Sequence, residues 1–558
     1  MAPHKQPSSF DQNDLFNETV SLTLPPRFAV QGKVLGSSVR QLLNPESCES
    51  CSLRPFSIQR VNGYETILSS GETLKIINTR TSTQLDSDLV LLVPGESKPS
   101  KIAEALEQGE GRWISPKPVN INTLDASGLD QCRSAVITSW RDTFHLRESR
   151  PSTGSQPVKR GLRRPQIGAL HAALAHATRS TEPATIVMPT GTGKTETMLA
   201  LNAHQRFERL LVVVPTDALR EQIANKFETF GVLQQEECID ASAAFPLVMR
   251  LSHIPKTTAE VDQIFDSANV IVATMQIAGR ADAAVQERMA ACASALFIDE
   301  AHHIGAPTWS RFRSLFVDRD PPLTIIQFTA TPFREDGRRV DGEFIYTYPL
   351  KKAQAEGYFK PIRFEAVYGL DQSDADKAVA DKLGEVLQND LDAGLNHLAM
   401  ARGSTIDRAK ELHRLYSTRF PQFNPVIVHS QQSSHARQTN LTALRRFESR
   451  IIVCVDMLGE GFDLPELKIA GLHNPHKSIA VTIQFVGRFT RPDPKLGDAT
   501  VIANTGIDDI DRSLAKLYAE DADWNTLVEA LSTSRIERQV RRAEMFKGFV
   551  GELSDIPL

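Results

Sequence analysis

The stretch ATIVMPTGTGKTET, residues 184–197, constrains this chain more than any other part of it. Its first residues are apolar and β-branched. Pro189 then breaks the run, Gly191 and Gly193 sit in a loop, and Lys194 and Thr195 open an Ala- and Leu-rich amphipathic segment. That order predicts a strand, a phosphate-binding loop and a helix. Glycine carries no Cβ, so the backbone N–H groups of Thr190, Gly191, Thr192 and Gly193 can close around phosphate oxygens. The helix points its positive end at the same anion and Lys194 adds a full charge. Thr195 then stands where a hydroxyl can ligate Mg²⁺. The general pattern GxxxxGK[ST] asks for Gly where this chain has Met188, so only its tail, GxGKT, is matched. Met188 is expected to be the last, buried residue of the strand rather than a phosphate contact.

With 558 residues the chain is too long for one hydrophobic core. After the phosphate loop, apolar runs of strand length alternate with helical stretches: RLLVVVP, NVIVAT, ALFIDE and LTIIQFTAT, then HLAMARG, VIVHS, RIIVCVD, KIAGLHN and TVIAN. The alternation predicts α/β architecture, with two tandem parallel-sheet domains covered by helices. The expected division is an α+β accessory domain over 1–155, a nucleotide-binding domain over 156–365, a second α/β domain over 366–507 and a helical tail over 508–558. In the first region, Asn62-Gly63 between SIQRV and YETIL reads as a hairpin turn. Further strands are expected at 73–78 and 89–93, and a helix at 101–108. The segment RPSTGSQPVKRGLRRP reads as a linker whose Lys159, Arg160, Arg163 and Arg164 are solvated. Arg535, Arg538 and Arg542 in the tail share one helix face and read as solvated too.

A phosphate loop says only that a nucleotide binds; the ends of the other strands narrow the reaction. LFIDEAHHI ends a buried strand in Asp299 and Glu300, at the sheet edge where ligands of open α/β sheets collect. Asp299 can hold Mg²⁺, and Glu300 can orient or deprotonate the water that attacks the γ-phosphate. His302 and His303 have no Cys/His partners at metal spacing, so zinc is not expected there. Cys48 and Cys51 form a CxxC, but Cys132 and His145 follow at irregular spacing. Asp86, Asp88, Glu96 and Lys98 around LVLLV resemble a restriction-type nuclease core, a triplet common by chance. A recognition or regulatory role is the expectation for residues 1–155.

These motifs together identify the chain as resembling superfamily 2 helicases of the DEAH-box type. It is especially similar to the restriction-type translocase and excision-repair branch, over residues 164–492. The resemblance implies two RecA-like domains with ATP and Mg²⁺ in the cleft between them. Gln166 resembles the glutamine that reads adenine. Pro215, Thr216 and Arg220 in PTDALREQ, and Thr274 in IVATMQ, resemble strand-gripping motifs, and Ser430 after VIVHS a contact to the nucleic-acid backbone. His302, Thr329 and Thr331 match the positions that couple hydrolysis to movement. In VDMLGEGFDLP, Asp456, Gly459, Glu460, Gly461 and Asp463 match the motif joining nucleotide to strand. QFVGRFTRP places Gln484, Arg488 and Arg491 at three- and four-residue steps, so one helix face can present them. Such guanidinium groups would meet charge developing on the γ-phosphate, an effect worth about 10³ to 10⁵ in turnover.

The resulting expectation is an ATP-dependent helicase or translocase whose hydrolysis nucleic acid stimulates, with DNA favoured over RNA. The alternatives are a nucleotide-dependent clamp on nucleic acid or protein, or an RNA helicase. A net charge of −5 gives no global basic signature, so strand contacts must be local. A protein partner is expected, if anywhere, at residues 1–155. Six cysteines without a disulfide-like spacing, no apolar leader and no membrane-length apolar run lead to the expectation of a cytoplasmic protein.

Overall fold

The structure is a computed structural model that describes residues 18–150 and 159–504, apart from 60, 82, 97, 190, 306, 320–322, 331, 333–338, 359–361, 370, 456–463 and 474–495. The expected helical tail, with Arg535, Arg538 and Arg542, lies outside the described residues.

The ten-stranded central sheet grows from the apolar runs. Its order is Glu343–Thr347, Ala184–Val187, Thr324–Thr329, Ala295–Ile298, Leu210–Val214, Val270–Thr274, Leu247–Arg250, Ser37–Asn44, Arg27–Val34 and Val119–Asn120. The first seven are mutually parallel. Their middle members are buried along their whole length, as strands covered by helices on both faces must be. The second sheet is six-stranded and parallel, ordered Ile362–Val367, Ala499–Asn504, Leu467–Leu472, Leu398–Arg402, Ile451–Cys454 and Val426–Val428. Two parallel-sheet α/β domains result, with a β-rich sheet ahead of them.

That N-terminal sheet holds six strands, Glu18–Leu24, Ser47–Ile58, Val61–Ile67, Thr73–Ile77, Leu89–Leu92 and Arg112–Ser115, and the helix Pro99–Glu107 packs on it. The expected turn at Asn62-Gly63 is not a turn. Ile58 pairs with Val61 and Phe56 with Gly63, so the chain reverses three residues earlier, where Gln59 takes a φ of 45°. Gly63 is needed for another reason: a Cβ there would lie 2.1 Å from the Ile76 carbonyl oxygen of the neighbouring strand.

The N-terminal segment also divides between two sheets. The hairpin Arg27–Val34 and Ser37–Asn44 is cut out of the first sheet's sequence order and pairs antiparallel with Leu247–Arg250 of the central sheet. The helix Ala126–Ser139 follows it: Arg133 Nη1 donates to the Phe265 carbonyl at 2.9 Å, and Trp140 Nε1 to Ala244 at 2.8 Å.

Asp88 accepts from Thr73 N and Oγ1, both at 2.8 Å, while Asp86 offers its carbonyl to Lys75 Nζ. Cys48 is exposed and Cys51 buried, on opposite faces of one strand. No cluster of three or more His, Cys, Asp or Glu suited to a metal ion occurs among the described residues. No helix among them is long and apolar enough to cross a membrane.

Candidate active site

Parallel strands deliver all their carboxyl ends to one edge, and that edge carries the candidate site. Val187 is in register with Thr329, Ile298 with Gln327 and Val213, and Val214 with Thr274. The phosphate loop, Thr329, Asp299-Glu300, Pro215-Thr216 and Thr274 therefore stand side by side. From the loop's strand to that of Thr274 is four strand spacings, about 19 Å.

Met188 is fully buried, and its N–H donates to the Thr329 carbonyl at 2.9 Å. The strand itself ends one residue earlier, at Val187, but this bond carries the pairing with Thr329 on through a buried Met188, so glycine is dispensable there. Gly191 and Gly193 adopt φ of 86° and 99°, the region glycine alone enters freely. The helix Lys194–Gln205 begins directly behind them. Thr192 is buried and bonds back to the Pro189 carbonyl at 2.7 Å, while Thr195 is half-buried at the helix start. Thr190 lies outside the described residues.

Lys194 Nζ meets Glu300 Oε1 at 2.9 Å, with both side chains 9% exposed. Glu300 has a φ of 50°, rare for a residue with a Cβ, and its N–H donates to Asp299 Oδ1 at 3.0 Å. Strain of this kind concentrates at functional sites. His302 Nδ1 lies 3.3 Å from Thr329 Oγ1 and 3.6 Å from Glu300 Oε2. Burial pushes its imidazole down to about 4, so it is neutral at pH 7. One connected set thus joins Lys194, Glu300, His302 and Thr329. Thr331 lies outside the described residues.

Gln166 is buried at the start of the helix Arg164–Ala177. Its Oε1 accepts from Arg163 N at 2.7 Å, and its Nε2 faces the Gly193 carbonyl at 3.5 Å. A Cβ on Gly193 would come within 1.9 Å of that nitrogen, so glutamine and loop are fitted to each other. The basic run ahead of Gln166, Lys159, Arg160, Arg163 and Arg164, is exposed as expected, and three of its members also have partners. Arg163 Nη1 donates to the Gly191 carbonyl at 3.1 Å and its guanidinium lies over the Tyr358 ring, Arg164 pairs with Glu148 at 3.1 Å, and Arg160 reaches the Gln235 carbonyl at 3.3 Å. Composition alone had no means to show these partners.

At the far end of the edge, Pro215 is half-buried and Thr216 exposed. The Thr216 Oγ1 accepts from Leu219 N at 3.3 Å and caps the helix Asp217–Thr229. Arg220 Nη1 donates to the Leu251 carbonyl at 3.1 Å and pairs with Asp217 at 2.9 Å, so it braces the edge instead of facing solvent. Thr274 is buried. Ser430 is exposed, past the end of Val426–Val428, the edge strand of the second sheet. Asp456, Gly459, Glu460, Gly461, Asp463, Gln484, Arg488 and Arg491 lie outside the described residues.

The second domain holds a polar network that no motif announced. His473 Nδ1 bonds Asp376 at 2.9 Å, its Nε2 bonds the Tyr416 hydroxyl at 2.9 Å, and Arg408 Nη2 donates to Asp376 at 2.6 Å. Asp376 and Tyr416 sit on helices, at apolar-face positions of Gln372–Asp392 and Ile406–Arg419. A polar residue on such a face is the only signal sequence could offer.

Residues 159–334 match the family of the type III restriction enzyme res subunit, and residues 382–493 the helicase conserved C-terminal domain. An uncharacterized protein of Mycobacterium tuberculosis is 26% identical over 354 residues, 54% of each chain. A 51.5 kDa protein of a Lactococcus phage is 22% identical over 319 residues, 54% of this chain and 60% of its own. The chain thus spans little more than half the length of the curated relatives it matches. Among solved structures, Saccharomyces cerevisiae Dbp5 bound to RNA and ADP BeF3 superposes with a TM-score of 0.44 at 13% identity, over 67% of this chain and 97% of that one. A fragment of a putative HsdR subunit of a type I restriction enzyme from Vibrio vulnificus gives 0.44 at 18% identity, over 90% of each.

Proposed function

From the premise that the chain carries the two domains of a superfamily 2 helicase, of the type III restriction res-subunit kind, we propose that it is an ATP hydrolase driving movement along nucleic acid, with DNA the favoured substrate. The observation that carries the reading is the Lys194–Glu300 ion pair between the phosphate loop and the acidic strand end. A buried ammonium needs an anion. In this structure a carboxylate supplies it, and a nucleotide phosphate has the same charge and the same acceptor oxygens.

The loop fits that group, since two positive-φ glycines open its backbone and Gln166 closes its far side. Gly191, Thr192, Gly193, Lys194 and Thr190 would hold the phosphates, Gln166 the base, and Thr195 with Asp299 the Mg²⁺. When bound, the metal would neutralise charge on the phosphate oxygens. Once phosphate takes the Lys194 ammonium, the Glu300 carboxylate is released to orient water and accept its proton. His302, neutral and hydrogen-bonded to Thr329, would report that exchange along the edge. Gln484, Arg488, Arg491, Glu460 and Gly461 would come from the second domain when the cleft closes, which ties turnover to domain closure. Thr216 and Thr274 of one domain and Ser430 of the other would grip a strand through its phosphates, making binding salt-sensitive and blind to sequence. Thr331 would act beside Thr329. The restriction-type relationship of the first domain supports DNA, and residues 1–155 would recruit or sense a partner.

ATPase rates measured with single-stranded DNA, duplex DNA and single-stranded RNA at several salt concentrations test the proposal. Stimulation by DNA above RNA is the expected result. A rate indifferent to all three would remove the motor and leave a nucleotide-dependent clamp.

A further inference from the structure

The Arg27–Val34 and Ser37–Asn44 hairpin is placed oddly for an accessory segment, because its tip lies on the functional edge. Ser38 is in register with Arg250 and Lys33 with Ser38, and the pairing is antiparallel to Leu247–Arg250. The turn at Leu35 and Gly36, with φ of 49° and 83°, therefore stands level with the carboxyl ends of the parallel strands. Beyond Thr274 the edge continues through residues 251–256 to this tip, three strand spacings or about 14 Å further on.

The tip and the neighbouring loop are fastened together. Ser37 is fully buried, and its Oγ accepts from Ser252 N at 3.0 Å and lies 3.1 Å from His253 Nδ1. Three residues further along the same strand, Arg40 Nε bonds Glu228 Oε1 at 3.2 Å, and the same carboxylate takes Arg250 Nη1. Glu228 belongs to the helix that Thr216 caps, so the hairpin and the grip move as one body. Outside these bonds the surface is open. Nothing lies within 4 Å of where a Gly36 Cβ would be, and Lys33, Ser252 and Lys256 are exposed. Neither lysine has an ion-pair partner among the described residues, although Glu260 accepts from the Lys256 backbone N–H.

We infer that the hairpin tip, with Lys33, Gly36 and the loop residues Ser252 and Lys256, is a second phosphate-contacting surface that lengthens the nucleic-acid track of the first RecA-like domain. The ligand is the sugar-phosphate backbone of a single strand lying across Thr216 and Thr274, so the inference rests on the nucleic-acid reading above. Two unpaired ammonium groups and an open glycine backbone suit phosphates, and nothing at the tip reads a base edge. About 14 Å is four nucleotide rises at 3.4 Å each, so the track gains a few nucleotides.

The test uses the full chain, the Lys33→Glu and Lys256→Glu variants, and fluorescein-labelled oligothymidylates of increasing length, with affinity read by anisotropy over a salt series. Neither lysine belongs to the nucleotide site, so ATP hydrolysis without nucleic acid should be unchanged, and a thermal melt checks folding. For long oligomers each variant should bind at least threefold more weakly, with a salt dependence shallower by about 0.7. For oligomers too short to pass Thr274 the difference should vanish. If the wild-type chain binds long oligomers and both variants match its affinity and salt slope, the hairpin is not part of the track. If the wild-type chain binds none, the nucleic-acid reading itself fails and this inference falls with it.

Discussion

In the central sheet, the strand Ala295–Ile298 ends in Asp299 and Glu300, with His302 buried behind them. In the second, the strand Leu467–Leu472 ends in His473, bonded to Asp376 and Tyr416. Both are polar strand ends in a hydrophobic surround, yet their partners differ in kind. Glu300 is held by Lys194, a cation on the loop that a phosphate can claim. His473 is held by helix residues, and Arg408 closes the set by binding Asp376. In the proposed function the first partner is exchanged for a ligand, whereas the second set stays bonded within the protein. The difference predicts where mutations hurt: turnover at the first edge, folding at the second.

The largest effects test the first half of that contrast. Lys194→Ala and Glu300→Gln should each lower stimulated ATP hydrolysis by about 10³ or more while the unfolding temperature moves by only a few degrees. Arg488→Ala should cost about 10³ to 10⁵ in kcat with nucleotide affinity kept, because the second domain enters only when charge develops. A steady-state ATPase assay beside a nucleotide-binding titration separates them. If any of the three hydrolysed ATP at the wild-type rate, the exchangeable edge would lose its role.

Asp376→Ala tests the other half. Removing the carboxylate leaves Arg408 and His473 without their shared anion, and the expected cost is about 2–4 kcal/mol in urea unfolding. Isolated ATP binding should be preserved. Equal stability of wild type and variant would mean that the network does not hold the second domain together.

A smaller, graded effect comes from the two histidines. Burial holds His473 below its ordinary range and His302 at about 4. For Asp376, burial alone would raise the carboxyl, but the bonds from His473 and Arg408 hold it below the usual range. Both histidines are neutral when folded, whereas the unfolded chain takes up their protons near pH 6.5. Their contribution is therefore complete above pH 6.5. It is lost as pH falls below 6.5, toward about 4 for His302, at up to about 1.4 kcal/mol per pH unit for each. His302→Asn should flatten the stability of the first domain between pH 6.5 and 5, measured by urea unfolding at stepped pH, and His473→Asn that of the second.

The same contrast governs what could be read without coordinates. The placing of the first edge was legible because Gly191, Gly193, Lys194, Asp299 and Glu300 are local patterns beside apolar strands, and the structure brings the loop against the acidic strand end. The parallel sheets were legible from their apolar runs, although Leu247–Arg250, Glu343–Thr347 and Ile362–Val367 are too mixed to stand out. What escaped depends on distant pairing. Gly63 mimics a turn, yet serves the close approach of Ile76. Nothing local in residues 27–44 says that this hairpin leaves its neighbours for the central sheet. Asp376, Tyr416 and His473 lie up to 97 positions apart, and their bonds exist only after both helices pack.

The smallest effect lies at Thr216, which has two candidate jobs on one side chain. Its Oγ1 caps the helix Asp217–Thr229 by accepting from Leu219 N, and by position it faces the proposed strand track. Thr216→Ala removes both functions, costing about 1 kcal/mol of stability and weakening single-strand binding. Thr216→Asp separates them, since aspartate is as good a cap and favours the helix N-terminus, but sets a negative charge against phosphate. Stability should stay within about 0.5 kcal/mol of wild type while affinity for single strands falls further than in the alanine variant, most of all at low salt. Thr216→Ser should match wild type in both measurements. An aspartate variant that binds strands as well as wild type would reduce Thr216 to a helix cap and move the grip elsewhere along the edge.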